Sequence, residues 1–219
     1  MSYYVRLMRR ENLPQVTEID REAFPTQWPA TNYQHELQNR LAHYIVACDE
    51  EKKANQPEVE ALPRGSFSSL MAKARHLFNH DRFFSDEPPP SGKQYIAGFT
   101  GFWFMAGEAH ITNIAVRETY RRQGIGELLL ISLIDLATQL KAHVITLEVR
   151  VSNTAAQSLY NKYGFTQTGL RRGYYTDDRE DGIVMSTENI TSASFQTHLT
   201  RLKQAHSRKW GIALYQIAR

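Results

Sequence analysis

Residues 120–137, YRRQGIGELLLISLIDLA, drive a turn rich in arginine and glycine straight into a strongly apolar segment. The apolar spacing predicts a helix with positions 126, 130, 133, 137 and 140 on one face, so two glycines stand where that helix must begin. Glycine there loses backbone entropy, and serine or aspartate would cap the helix better. The arrangement makes sense if something must approach the backbone closely. The first N–H groups of a helix lack intrahelical partners and carry partial positive charge, which beside arginine suits an anion such as phosphate.

Single residues exclude two common phosphate motifs. A P-loop needs lysine after its second glycine, where Glu127 stands, and a dinucleotide fingerprint needs a third glycine where Leu129 stands. What remains is Arg121-x-x-Gly124-x-Gly126 after the apolar stretch NIAV, with a ligand-free helix start as the alternative.

The rest of the chain supplies context. SYYVRLMR reads as a strand, ENLPQVTEIDREAF as a helix with Val16, Ile19 and Ala23 at helical spacing, NYQHELQNRLA as a short second helix and HYIVACDE as a second strand. Residues 50–94 hold five of the eight prolines and few large apolar residues, so they read as an insertion rather than a domain. QYIAGFTGFWFMAGEAHITNIAV predicts two antiparallel strands turning near Ala106 and Gly107. After the apolar helix come a buried strand HVITLEVR, a helix NTAAQSLYNKY stopped by Gly164, and a closing strand pair within residues 164–186. The expected class is mixed α/β (α+β), with domain residues 1–187 and a C-terminal extension 188–219.

Composition narrows the function classes. No run approaches the 18 apolar residues of a membrane span, and the start lacks a signal-peptide core. Cys48 is the single cysteine, which excludes an internal disulfide and fits a reducing compartment, so cytoplasm is the expected location. It follows YIVA and reads as a buried strand residue. The net charge of +3 splits unevenly: residues 191–219 carry five basic and no acidic side chains, leaving −2 for residues 1–190 (3 − 5 = −2). The body is therefore not a basic nucleic-acid binder, and any such role would fall to the tail. In that tail Phe195, Leu199, Leu202 and Ala205 predict one apolar helix face, most simply docked on the chain's own domain. His35, His43, His110 and His143 show no metal-ligand spacing, so no metal is expected and each reads as structural.

Three blocks, NIAVRETYRRQGIGELLL, LEVRVSNTAAQSLYNKYGF and RRGYYTDDREDGIVM, resemble the GNAT superfamily of acyl-CoA-dependent N-acetyltransferases, and within it the bacterial ribosomal-protein-alanine (RimI-like) group. FPTQWPATNYQHEL is similar to that group's Phe-Pro-x-x-Trp-Ser loop, with Pro29 in the serine's place. The resemblance runs along most of residues 1–187. It implies a mixed, mainly antiparallel sheet flanked by helices, acetyl-CoA as co-substrate, and a protein or peptide N-terminus as acceptor, with a ribosomal protein foremost.

The same resemblance assigns roles. The backbone at Ile114, Ala115 and Val116 would pair with the pantetheine arm, because their strand splays from LEVR. The N–H groups of the turn Arg121, Arg122, Gln123, Gly124, Ile125, Gly126 and Glu127 would hold the diphosphate. Asn153 would touch the cofactor, although an asparagine before TAAQSLY is also a good helix cap. Glu148 would be the general base, the alternative being a partner for Arg150 or the closing arginines. Tyr160 would be the general acid, the alternative being core packing. Phe24, Trp28 and Tyr174 would wall the acceptor site.

Magnitudes favour an α-amine. It titrates near 7.7–8.0 and lysine near 10.4, so deprotonating lysine costs about 3 kcal/mol more. A lysine, polyamine or small amine remains the first alternative acceptor, and a non-catalytic CoA-binding or ribosome-associated module the second. The insertion and tail are departures from the resemblance. The insertion reads best as a tolerated surface loop, ahead of a lid or partner site.

Overall fold

The structure, a computed structural model, describes residues 3–26, 31–53, 94–211 and 214–215. Strands β1 (Tyr3–Leu7), β2 (Ala42–Lys53), β3 (Gln94–Met105), β4 (Glu108–Val116), β5 (Val144–Arg150), β6 (Phe165–Arg171), β7 (Gly182–Thr187) and β8 (Leu214–Tyr215) form one sheet in the order β6-β7-β5-β4-β3-β2-β1-β8. Neighbours are antiparallel except β4/β5 and β1/β8, which are parallel. The expected mixed, mainly antiparallel sheet is therefore present. Residues 54–93, nearly all of the expected insertion, lie outside the described residues; residues 50–53 extend β2 and Gln94 opens β3.

Local chemistry explains the elements. The β3–β4 hairpin turns on Ala106 and Gly107, both left-handed (φ 53° and 83°), as a two-residue turn between right-twisted strands requires. Helix α1 (Leu13–Ala23) starts with proline in its first turn and buries Val16 and Ile19. Helix α2 (Tyr33–Glu36) is a single turn capped by Asn32, much shorter than the sequence pattern suggested. Its buried Tyr33 anchors it, whereas Gln38, Asn39 and Arg40 offer nothing apolar to carry the helix further.

Two cores flank the sheet. Helices α1 and α2 bury Val16, Ile19 and Tyr33 against Tyr44, Val46, Cys48 and Phe99. On the other face, α3 (Ile125–Gln139) packs with α5 (Ala193–Trp210) and with Tyr163 and Phe165, at the end of α4 (Thr154–Lys162) and the start of β6. Helix α3 is buried around most of its circumference, from Ile125 and Leu128 through Ile134 to Leu136 and Ala137, rather than along one face. The tail causes this: α5 inserts Phe195, Leu199 and Leu202 into the same core. Each such side chain contributes about 1.5–3 kcal/mol on full burial. The fourth buried position is His206, not the expected Ala205, which is exposed. Spacings of 4, 3 and 4 from Phe195 keep one stripe facing α3 and exclude residue 205.

Candidate active site

Strands β4 and β5 pair in parallel from Glu108/Val144 to Ile111/Leu147 and then stop. At that point β4 carries a bulge: Gly101 faces Asn113 and Phe102 faces Ile111, leaving Thr112 extra. A bulge bends its strand and increases twist, so the two strands diverge. Beyond it Ile114, Ala115 and Val116 pair outward with Thr100, Phe99 and Gly98, while Glu148, Val149 and Arg150 pair outward with Val184, Ile183 and Gly182. The inner edges face an opening to which an extended amide chain can add as a strand would.

The glycine turn lies beside Val116, at the end of β4. Arg122 (φ 62°) and Gly124 (φ 80°) are left-handed, and Gly124 precedes the first turn of α3. Among the described residues, the backbone N–H groups of Arg122 through Glu127 have no acceptor; the first helix bond runs from the Leu128 N–H to the Gly124 carbonyl. The turn is held from behind. Tyr3 donates to Gln123 Oε1 at 2.7 Å, Gln123 Nε2 to the Thr119 carbonyl at 3.0 Å, and Arg121 Nε to the Val116 carbonyl at 3.3 Å. Glu127 accepts from Lys162 Nζ at 2.5 Å and the Tyr163 hydroxyl at 2.7 Å, which ties the start of α3 to the end of α4. Burial opposes ionisation of Glu127, but these donors outweigh it and hold the carboxyl below its ordinary range. Its negative charge is thus matched by lysine beside a turn suited to anions.

Glu148 occupies the fork. Ile145, Leu147 and Val149 enter the core with α3, so strand alternation turns Thr146, Glu148 and Arg150 to the opposite face. The Glu148 side chain is only 7% exposed; its Oε1 lies 2.9 Å from Arg171 Nη2 and its Oε2 3.1 Å from His110 Nε2. Across the same face Asn113 Nδ2 donates to the Tyr33 hydroxyl (2.9 Å), which donates to Asp20 Oδ1 (2.5 Å). Asp20 is raised by burial.

Tyr160, in α4, is half-buried against Phe165, ring centroids 5.7 Å apart. Among the described residues its hydroxyl makes no hydrogen bond; burial first, then the charge of Tyr175, raises its pKa above the ordinary range. Tyr175 stacks on Arg150 (4.0 Å) and lies within electrostatic reach of both Glu148 and Tyr160; burial first, against the lowering effect of Arg150, pushes it up to about 12. Arg150 is gripped by Asp177, Asp178 and Glu180 at 2.7–3.0 Å. Thr26 donates to Asp177, so the loop after α1 meets the β6–β7 loop.

The model of the Acetyltransferase (GNAT) family matches residues 55–165. A Bacillus subtilis (strain 168) protein with the provisional name ribosomal protein bS18-alanine N-acetyltransferase is 34% identical over 182 residues, 83% of this chain and 92% of the relative. The Escherichia coli (strain K12) ribosomal protein bS18-alanine N-acetyltransferase is 41% identical over 108 residues, 48% of this chain and 72% of the relative. This chain belongs to the GNAT family of acetyltransferases. In fold it is similar to the crystal structure of the ribosomal-protein-S18-alanine N-acetyltransferase from Escherichia coli (TM-score 0.62, 24% identity, 87% of this chain and 96% of that one). It also resembles a GNAT acetyltransferase from Elizabethkingia anophelis solved with acetyl-CoA bound (TM-score 0.56, 17% identity, 85% and 98%).

Within this GNAT architecture the sequence-chosen residues fall into three groups. Ile114–Val116 end β4 and Glu148 stands on β5 where those strands stop pairing, the Arg121–Glu127 turn follows β4, and Tyr160 sits one helical turn before Tyr163, which touches the start of α3. Asn153 caps α4 by accepting from the Ala156 N–H at 3.1 Å, and is exposed. Phe24 packs on the α1/α2 core, Tyr174 is 40% exposed and stacks edge-on with Tyr175, and Trp28 lies outside the described residues. The arginine-partner reading of Glu148 holds for Arg171 and not for Arg150. Sequence reasoning missed His110, filed as structural, and Tyr175, passed over for its neighbour. His110 had no local signal, because its partner lies 38 residues away on a strand paired by the fold. Among the described residues no group of three or more His, Cys, Asp or Glu could hold a metal ion, and no helix is long and apolar enough to cross a membrane.

Proposed function

We propose that this acetyltransferase moves the acetyl group of acetyl-CoA onto the N-terminal α-amine of a protein, with an alanine-starting ribosomal protein of the bS18 kind as its acceptor. One observation carries the reading: a buried carboxylate, Glu148, stands where two paired strands part, and the turn after one of them holds six N–H groups without an acceptor among the described residues. The open backbone at residues 114–116 fits the amides of a pantetheine arm, and the N–H groups of 122–127 fit a diphosphate. The relatives named as alanine N-acetyltransferases support the choice of acceptor.

In this mechanism Glu148 takes a proton from the acceptor ammonium, directly or through water. The neutral amine attacks the thioester carbonyl carbon, the tetrahedral nitrogen gives up its second proton to solvent, and the C–S bond breaks. Tyr160 protonates the departing thiolate, and solvent restores its proton. A hydroxyl whose pKa is held high keeps its proton throughout the neutral range, as a general acid must. Phe24, Tyr174 and the Thr26–Asp177 contact bound the acceptor entrance in this reading, and Asn153 contributes a cofactor contact beside its capping role.

The experiment is direct. Incubation with acetyl-CoA and alanine-starting peptides, read by mass spectrometry, should give a single acetyl group on the α-amine. Preference for lysine or polyamine acceptors in a mixed panel overturns the α-amine assignment, and loss of all transfer at high enzyme concentration overturns the catalytic one.

A further inference from the structure

Helix α2 ends after its single turn at Glu36, and the sheet face it shares with α1 runs on past it. Tyr44 lies across Gly101 on that face, where a methyl group would fall 2.2 Å from the tyrosine ring. Beyond Gly101, Phe102 enters the core with α3, so strand alternation turns Trp103 and Met105 to the α1/α2 side. They are 45% and 66% exposed. The indole is nevertheless fixed: Trp103 Nε1 donates to Glu36 Oε2 at 2.7 Å, and the Tyr44 hydroxyl donates to the same oxygen at 3.3 Å. On the other flank Glu108, opposite Met105 in the register, accepts from Thr146 Oγ1 at 2.5 Å.

Charge distinguishes these carboxylates from the others. Glu18, Glu127, Glu148 and Glu180 each face a basic side chain, whereas among the described residues neither Glu36 nor Glu108 has an ion-pair partner. An exposed indole between two unmatched carboxylates suits a cation, which can stack on the ring and reach a carboxylate oxygen together. We propose that Trp103, Glu36 and Glu108 form a downstream subsite for the acceptor, taking an arginine or lysine at its third or fourth residue. The proposal rests on the reading that the acceptor is a protein N-terminus whose amine arrives at Glu148.

Register supplies the spacing. Trp103 pairs with His110 on β4, and His110 pairs with Thr146 on β5, two residues before Glu148. Two steps between strands and two residues along one put Trp103 about 10–12 Å from Glu148, the span of about three extended residues. An acceptor crossing β4 and β3 on this face therefore brings its third or fourth side chain over the indole. The cations on the face, Arg171 and, when protonated, His110, lie against Glu148 itself, so the surface grows more acidic towards Trp103.

The test walks one arginine through the second to sixth residues of an alanine-starting peptide that is otherwise uncharged, with glutamine as the reference at each position. In the full chain, arginine at the third or fourth residue should lower the peptide KM about three- to tenfold, with kcat little changed. Trp103→Ala should abolish that preference, and so should Glu36→Gln, which keeps an oxygen for the indole N–H; KM for acetyl-CoA should stay as in wild type. An equal gain at every position would indicate general attraction and overturn the subsite, as would a preference that survives both substitutions. A dimer in sedimentation that Trp103→Ala dissociates would assign the face to a second copy and overturn it too. Calorimetric titration of the N-acetylated peptides reads the same preference without turnover. Retained preference without transfer would therefore sink the α-amine reading alone, and transfer without preference would sink the subsite alone.

Discussion

The indole of Trp210 rests against the α-carbon of Gly124 so closely that a methyl group there would lie 2.7 Å from the ring. His206, one turn earlier in α5, adds a contact from its Nε2 to the Gly124 carbonyl at 3.0 Å. The C-terminal helix therefore backs the turn whose N–H groups the proposed diphosphate would need.

Two substitutions separate that support from simple packing. Gly124→Ala combines a left-handed backbone, costing about 1–2 kcal/mol, with the Trp210 clash, and should lower both Tm and CoA affinity. Trp210→Ala leaves the glycine unstrained but unsupported, and should raise KM for acetyl-CoA severalfold while changing kcat little. Calorimetric titration of CoA into each variant checks both. Wild-type affinity in Trp210→Ala would show that α5 leaves the turn unaffected.

Gly126 behaves differently. Among the described residues a methyl group there meets only Val116 Cγ2, at an ordinary 3.7 Å, and its backbone is not left-handed. Gly126→Ala should stabilise the first turn of α3 by up to about 1 kcal/mol through helix propensity. Thermal melts should show a higher Tm, with CoA binding kept.

Arg150 makes the β6–β7 loop sensitive to acid. The carboxyl of Asp177 is held well below its usual range by Arg150 first and Thr26 second, and that of Glu180 by Ser152 and then Arg150. Acids with depressed folded pKa values stabilise above their unfolded values, and that contribution disappears as pH falls through the folded ones. Arg150→Met should therefore melt below wild type at pH 7, and the gap should close as pH drops below about 4 towards 2. A constant gap across that window would show that these carboxylates do not supply the difference.

Tyr160→Phe should leave the fold and CoA binding intact, since the hydroxyl has no hydrogen bond among the described residues to lose. Under the proposed mechanism kcat should fall about a hundredfold or more. Because the hydroxyl is held protonated, wild-type kcat should show no decline near pH 9 from this group. Unchanged turnover in the phenylalanine variant would remove Tyr160 as the acid.

Much of this was legible before any coordinates. The hairpin at Ala106–Gly107, the buried Cys48, the helix stop at Gly164 (φ 84°) and the α4 cap at Asn153 follow from local rules of turn, burial and capping. The turn 121–127 and Glu148 were legible because glycines at a helix start and a carboxylate in an apolar strand each need a reason. The length of α2, the burial of α3 on two sides and the choice of His206 over Ala205 were not. Each depends on a surface supplied by another element.

Sequence alone determined the backbone preferences: where the chain turns, which strand faces are apolar, and that a row of helix N–H groups begins at the glycines. Tertiary structure alone decided which side chains meet across elements. His110 reaches Glu148, and Arg171 rather than Arg150 grips it, because a bulge and a strand register bring them together. Register is set by long-range pairing, while periodicity within a segment records only which face a residue is on.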